Sequence, residues 1–438
     1  MLEETITGLM DVEGNNILFT VPKNGFRFCF VNDSVLPLED QHKPFSFENR
    51  DGYIYGRTHD NRRLAIYVDD ENLNVYSTQN VNVGAYILSE RGVEFDSFKS
   101  ISFVGGTLNR VFHPERLSWQ HPSEVTIKDD HQSFTIKLQD SIITVDLESS
   151  VSLENTHEGV FVRNSDVSLT LSFASPQPLR EIFRHYYVLK RVLAFMCFRK
   201  NVGFERIKLI EDTESYTELG SVYICDERNL TNKDWQKNIG VRDLEDSFPK
   251  LIELFYDDNP KSKQPIIDFL PDNDSDYGVI TRNRIKEICT SIELECKLDK
   301  MLKCKERREL EGIIEIVLRD LRDYKSENPL FDDSSYNSLC NSVKNWSISF
   351  QDKMTALYEK YKKEISEMNV SRVEINSDTI RDLVRFRNGS THGRTDVFKP
   401  EIIETAFYMQ AVVYICVLKR IGVAKDRIDS FIKLKLLK

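Results

Sequence analysis

After residue 278 the chain stops alternating. Before that point, apolar and polar residues interchange with period two. Phe26, Phe28 and Phe30 flank Arg27 and Cys29, and Val167, Leu169, Leu171 and Phe173 are separated by hydroxyl side chains. Beyond it, apolar residues recur three and four positions apart. Period two places one face of a strand inward, and the three-four spacing does the same for a helix. One chain carrying both periods in separate blocks reads as α+β multidomain. The expected layout is an antiparallel β-rich domain over 1–256, sandwich-like or a strongly bent sheet, then a linker over 257–278 and an all-α bundle over 279–438. The linker rests on Asp257 to Pro265 and Pro271 to Asp276, both rich in proline, aspartate and serine.

Within the first block, Phe134–Leu138 and Ile143–Leu147 read as a hairpin turning at Asp140-Ser141. The clean alternation of Val167–Phe173 predicts one buried face and one wet face. Gly105-Gly106 reads as a turn after a strand, because neither a helix start nor a lysine is expected to follow and make a phosphate loop. Pro178 opens a predicted helix to about Lys200, with Leu179, Ile182, Tyr186, Leu189, Leu193 and Met196 on its inner face. His185 lies on that helix and reads as structural. Two more strands are expected over Phe204–Ile210 and Gly220–Cys225, then a short helix over 247–257.

In the second block the predicted helices cover about 279–303 and 305–325, the latter with Leu310, Ile314, Val317, Leu321 and Tyr324 on its core face. Further helices carry Leu339, Val343 and Trp346, then Met354, Leu357, Tyr358, Tyr361 and Ile365. Two more span 377–388 and the apolar stretch after Pro400. The run Ile402–Leu418 is interrupted by Glu404 and Gln410, so it reads as a core helix and not a membrane span.

With 438 residues and 40% hydrophobic content, the chain has material for two or three cores. Its net charge of −11 argues against a general nucleic-acid coat. Between Arg381 and Lys399, however, five basic residues (Arg381, Arg385, Arg387, Arg394, Lys399) face two acidic ones, Asp382 and Asp396. A basic island in an acidic protein is where a polyanion is drawn. The eight cysteines form no C-x-x-C pair and read as buried free thiols. No metal cluster, Walker loop or Ser-His-Asp arrangement is evident, so no cofactor is expected. Asp272–Asp276 could attract a cation but reads better as exposed linker. The acidic start, Met1 to Glu4, lacks a secretory n-region, and a cytoplasmic location without membrane association is expected.

The chemistry-bearing stretch is Arg387-Asn388-Gly389-Ser390-Thr391-His392. Asn376, Ser377 and Asp378 are candidate caps for its helix, and Gly389 stands where a left-handed stop is common. Ile380, Leu383 and Val384 form the inner stripe, which Arg387 continues at i+7. A charge on that face needs a carboxylate, a carbonyl or a phosphate as partner. His392 is the only histidine after His185, and imidazole titrates near neutral pH. An imidazole and a guanidinium suit proton transfer beside a phosphate.

This Arg-polar-x-x-x-His pattern at a helix end in an all-α domain resembles the HEPN ribonuclease motif. The strand-then-helix order, with Ile101–Asn109 as a strand and glycine turn, resembles ApeA-type bacterial defence proteins, whose β-rich N-terminal domain precedes a HEPN domain. The resemblance implies a metal-independent endoribonuclease acting in anti-phage abortive infection. Arg387, Asn388 and His392 would be catalytic, and Arg381, Arg385, Arg394 and Lys399 would bind RNA, with transfer-RNA loops a candidate substrate. It also implies a homodimer through the helical domain, because one histidine per chain leaves either the acid or the base unsupplied, and a phage-derived trigger sensed by the β domain. The alternative is a non-catalytic dimerisation module that regulates a partner.

Overall fold

The computed structural model describes residues 5–12, 15–32, 45–48, 52–68, 72–75, 78–112, 117–121, 124–127, 131–138, 141–156, 159–212, 216–226, 238–257, 264–344, 346, 348–366, 374–391 and 398–433. The chain divides into two compact units, Met1–Tyr256 and Asp257–Lys438. The first is an antiparallel β-sheet unit with helices, and the second is helical.

The first unit begins with β1 (Thr5–Val12), β2 (Asn15–Pro22), β3 (Arg27–Asn32), β4 (Phe45–Glu48), β5 (Tyr53–Thr58) and β6 (Arg63–Tyr67). β7 (Asn72–Val75), β8 (Thr78–Asn82), β9 (Ala85–Ser89) and β10 (Ser97–Val104) follow, then α1 (Leu108–Val111). Next come β11 (Leu117–His121), β12 (Glu124–Ile127), β13 (His131–Lys137), β14 (Ile142–Thr156), β15 (Gly159–Pro178), α2 (Glu181–Cys197), β16 (Arg206–Asp212), β17 (Thr217–Ile224), α3 (Val241–Leu244) and α4 (Ser247–Tyr256). Thirteen strands form one sheet in the order β13-β14-β15-β10-β16-β17-β9-β6-β5-β1-β2-β3-β8, and β4-β7 and β11-β12 form two small ribbons.

Of the two expected forms, a sandwich or a strongly bent sheet, the second is observed: this is one sheet that rolls. β8 lies six strands from β9 in the sheet, which in a flat sheet is about 29 Å. Yet only Val83 and Gly84 join them, and three Cα steps reach at most ~11 Å. The sheet must curl until β8 approaches β9. The rings agree: Phe28 and Tyr86, on β3 and β9, stand 5.5 Å apart edge to face. Met10, Ile17, Phe19, Phe28, Phe30, Ile54, Leu64, Ile66, Tyr86 and Leu88 fill the interior so formed. Gly8 permits the close approach, since a Cβ there would sit 2.2 Å from the Arg57 carbonyl oxygen.

The other half of the sheet carries α2 and α4. All six inner-face residues predicted for α2 are buried, and β16 and β17 occupy the expected segments. The hairpin holds too, with Ile136 opposite Ile143, although Asp140 lies outside the described residues. The alternation of β15 holds: Val167, Leu169 and Leu171 are buried, while Ser168, Thr170 and Ser172 are half-exposed. Thr170 donates to Ser102 and Ser100 donates to Ser172, each at 3.0 Å, and both serines of β10 are buried. Hydroxyls paired across strands satisfy one another, so that face tolerates cover. Gly105 and Gly106 make the predicted turn, both with positive φ. Contrary to expectation a helix start does follow, but it is only the four residues of α1.

The second unit holds α5 (Arg282–Leu298), α6 (Lys300–Glu327), α7 (Asp333–Lys344), α8 (Phe350–Ser366), α9 (Ser377–Thr391), α10 (Pro400–Ile421) and α11 (Lys425–Phe431). α10 is apolar and long enough to cross a membrane, but 72% of its most apolar window is buried within the protein. It packs against α5, α8, α9 and α11. The predicted linker is not a tether along its length. Residues 258–263 lie outside the described ones, but Ile267, Phe269 and Leu270 are buried and Phe269 meets Tyr414 of α10 at 6.3 Å. Buried Arg284 fixes the next turn by donating to the carbonyls of Asp276, Tyr277 and Val279, and to the Gln410 Oε1. Polar composition concealed three apolar anchors.

The outer helices differ from expectation. Tyr324, Leu339 and Trp346, predicted as core, are exposed, and Ile313, Ile316 and Leu330 join them. Leu310, Ile314, Val317 and Leu321 are only half-buried. Cys225 is also exposed, unlike the buried thiol expected.

In the first unit, His185 is buried with its Nδ1 2.8 Å from the Tyr256 hydroxyl and the rings of Phe98 and Phe173 around it. Burial lowers its pKa from 6.5 to about 3. Between those values the unfolded chain binds a proton that the folded chain does not, so stability falls as pH drops from 6.5 towards 3. The expected slope is about 1.4 kcal/mol per pH unit. Urea denaturation from pH 7 to 4 measures it, and His185→Phe should remove this contribution.

Candidate active site

α9 starts on Asn376, the first of the three predicted caps. Its Oδ1 accepts from the amides of Asp378 at 2.9 Å and Thr379 at 3.1 Å, while the Asn376 amide donates to the Thr379 hydroxyl. Ile380, Leu383 and Val384 are buried as expected, and Phe386 joins them. The predicted stop at Gly389 is corrected. The helix runs through it to Thr391, and Gly389 is buried without a left-handed φ. A glycine inside a helix costs about 1 kcal/mol relative to alanine, which tertiary packing can override. Arg387 therefore sits a turn earlier in the helix than expected.

Arg387 has a carboxylate facing it. Its Nη2 lies 3.8 Å from the Glu293 Oε2 of α5, an ion pair too long for a hydrogen bond. Glu293 is shared, since the Lys297 Nζ stands 3.1 Å from its other oxygen. The Arg387 Nη1 donates to the Asn388 Oδ1 at 3.2 Å, and the guanidinium carbon lies 5.8 Å from the centre of the Phe350 ring. The side chain is 31% exposed. The site thus presents an oriented cation reachable from solvent. Asn388 is exposed and uses its carbonyl on Arg387, so its amide nitrogen is the group it offers outward.

The neighbouring thiol is not a nucleophile. Cys289 is fully buried, and burial pushes its pKa up to about 12 despite the pull of Arg387. Among the described residues no group of three or more metal-ligating side chains occurs.

Of the remaining predicted residues, Arg385 and Arg381 do not share a face with Arg387: on the continuous α9 they lie about 200° and about 240° around the helix from it. Arg381 pairs with Asp378 one turn back, at 2.8 Å. Arg385 is exposed, and Lys399 is exposed at the N-cap of α10. His392 and Arg394 lie outside the described residues, as does any distance from Arg387 to the imidazole. Sequence reasoning missed Glu293, Lys297 and Phe350. Glu293 follows Cys289 by four positions at the margin of the buried stripe Ile285, Ile288, Cys289, Ile292 and Cys296. A carboxylate at such a margin was the available signal.

Compared with protein-family models, with curated proteins and with solved structures, the chain matches none.

Because Glu293 competes with any anion for Arg387, Glu293→Gln should strengthen binding of a short single-stranded RNA. Half-exposed ion pairs contribute about 0.2–1 kcal/mol, so the expected gain is roughly 1.4- to 5-fold. Fluorescence anisotropy at low salt checks it, and Arg387→Gln should move the affinity the other way.

Proposed function

We propose that the chain is a metal-independent endoribonuclease of the HEPN type, acting in anti-phage abortive infection. The observation that carries the reading is Arg387: a solvent-reachable guanidinium with a shared, over-long ion pair, five positions before the only histidine of the helical unit. The resemblance of the Arg387–His392 pattern and of the β-then-α layout supplies the family.

The chemistry follows from the side chains. The 2′-hydroxyl of the substrate attacks the adjacent phosphorus while His392 takes or gives a proton, a role worth about 10²–10⁴-fold. The phosphorane gains negative charge, and a fixed guanidinium stabilises it more than the ground state. Asn388 directs its amide nitrogen at a phosphate oxygen or the imidazole. The products are a 2′,3′-cyclic phosphate and a 5′-hydroxyl. Unpaired RNA, including transfer-RNA loops, fits because its bases can splay for in-line attack. Arg381, Arg385, Arg394 and Lys399 are the further candidate RNA-binding cations of this segment. The β unit holds the nuclease in check or senses a phage-derived trigger, and the protein acts in the cytoplasm.

One observation favours the second reading, a non-catalytic dimerisation module: Glu293 gives Arg387 a partner within the chain. Cleavage decides between them. Arg387→Ala and His392→Ala should each lower RNA cleavage by at least ~10²-fold with the helical content unchanged, and EDTA should leave the wild type active. Equal cleavage by all three proteins, read on gels of purified transfer RNA, would remove the enzymatic reading.

A second copy of the chain completes the site in this proposal. The exposed apolar side chains Ile313, Ile316 and Tyr324 of α6 and Leu339 of α7 form the surface it would cover. Trp346, also exposed, lies four residues before Phe350, whose ring faces Arg387. Ile313→Glu with Ile316→Glu should convert dimer to monomer in sedimentation velocity and abolish cleavage together.

A further inference from the structure

A cavity with a built lining lies in the β unit, remote in sequence from Arg387. It encloses about 600 Å³ between β5, β6, the segment before β10 and the start of α2. That size lies in the ~300–1,000 Å³ range of small-molecule sites. Its wall is aromatic: Tyr53 is buried, Tyr55 is half-buried, and their rings are 6.4 Å apart.

The wall is fixed by its neighbours. The Tyr53 hydroxyl donates to the Leu179 carbonyl at 3.1 Å, tying β5 to the start of α2. The Arg63 guanidinium lies 4.3 Å from the centre of the Tyr55 ring. Its Nη1 donates to the Phe95 carbonyl at 2.5 Å and its Nη2 to the Asp96 Oδ1 at 2.7 Å. Ring and guanidinium are thus set in place before anything enters, which lowers the cost of binding a flat ligand.

The mouth has two charges of opposite sign. Arg180 is exposed at the N-cap of the 17-residue α2 and has no ion-pair partner among the described residues. No side chain caps the first turn there, and its acidic residue, Glu181, is drawn to Arg184 at 3.5 Å. Arg180 and the opening turn of α2 therefore form the anion-attracting end. At the other end Asp96 is 81% exposed and has one carboxylate oxygen engaged by Arg63. The cavity is too large for a bare phosphate, and Asp96 would repel a ligand that was anionic throughout. The lining asks for an aromatic plane with an anion at one end and hydroxyl or amino donors at the other.

We propose that this cavity binds a mononucleotide. The base stacks on the half-buried Tyr55 ring, which the buried Tyr53 backs, the phosphate meets Arg180 and the first turn of α2, and the ribose hydroxyls donate to Asp96. This binding activity stands independently of the nuclease reading, because it uses no residue of the helical unit.

Isothermal titration of the full chain tests it, with AMP, GMP, CMP and UMP, their nucleosides and inorganic phosphate as probes. At least one mononucleotide should bind saturably at one site per chain with Kd below ~1 mM. Its nucleoside and inorganic phosphate should each bind at least ~10-fold more weakly. Arg180→Gln, at an exposed position that leaves folding intact, should weaken the mononucleotide ~10-fold while leaving the nucleoside unchanged. Tyr55→Leu should weaken both at unchanged Tm. No saturable heat from any mononucleotide at 5 mM, which is ~5-fold above that limit, would overturn the proposal. So would an Arg180→Gln protein that binds like the wild type, or a nucleoside that binds as tightly as its monophosphate.

Discussion

The helical unit depends on how α5 is pinned to α10. α10 is the apolar core helix, so each polar side chain buried against it needs an internal partner. Gln410 meets Arg284 near the start of α5, and Arg420 meets the buried Glu295 eleven residues further along. Those two attachments are about 16 Å apart along the α5 axis. A helix held at both ends against a fixed neighbour cannot rotate. Its rotation decides which side chains face α9, and that setting brings Glu293 opposite Arg387. The ion pair at the candidate site is thus a consequence of two buried polar contacts on another face of α5.

The same contacts explain why part of the helical unit was legible in its sequence and part was not. The stripe Met354, Leu357, Tyr358, Tyr361 and Ile365 declared itself because α8 is covered along that face and all five residues are buried. The equally periodic stripe of α6 gave the same signal, yet Tyr324 is exposed and its neighbours are half-covered. Periodicity records that a helix has an apolar face. It carries no information on whether this chain supplies the cover. Gly389 shows the converse limit. Its residue type signals a helix stop, but whether the helix stops depends on packing, and at this buried position the helix continues.

In the β unit the strands were readable and their closure was not. Alternation located β3, β13 to β15, β16 and β17, since each depends on local patterning. The roll of the sheet depends instead on β8 pairing with β3 while chain connectivity holds β8 beside β9. That is a constraint between distant segments, with no local trace. The hydroxyls of β10 show a related limit: Ser100 and Ser102 look solvent-facing by residue type, yet both are buried against hydroxyls of the partner strand at 3.0 Å.

The helical unit contains a comparison that bears on chemistry. Arg284 and Arg387 are both arginines on inner or near-inner helix faces. Arg284 is 5% exposed and donates to three carbonyls and an amide oxygen. Burial lowers its pKa from the ordinary value, the mark of a cation surrounded by neutral acceptors whose function is to hold a turn. Arg387 is 31% exposed, and its carboxylate partner is 3.8 Å away and shared with Lys297. A guanidinium surrounded by neutral acceptors has its geometry consumed by the fold. One that leans on a divided, half-exposed carboxylate can exchange that partner for a phosphate at small cost, because the pair it gives up was weak and screened. The Arg-polar-x-x-x-His spacing cannot distinguish these two kinds of arginine. The electrostatic surroundings can, and they place Arg387 with the exchangeable kind.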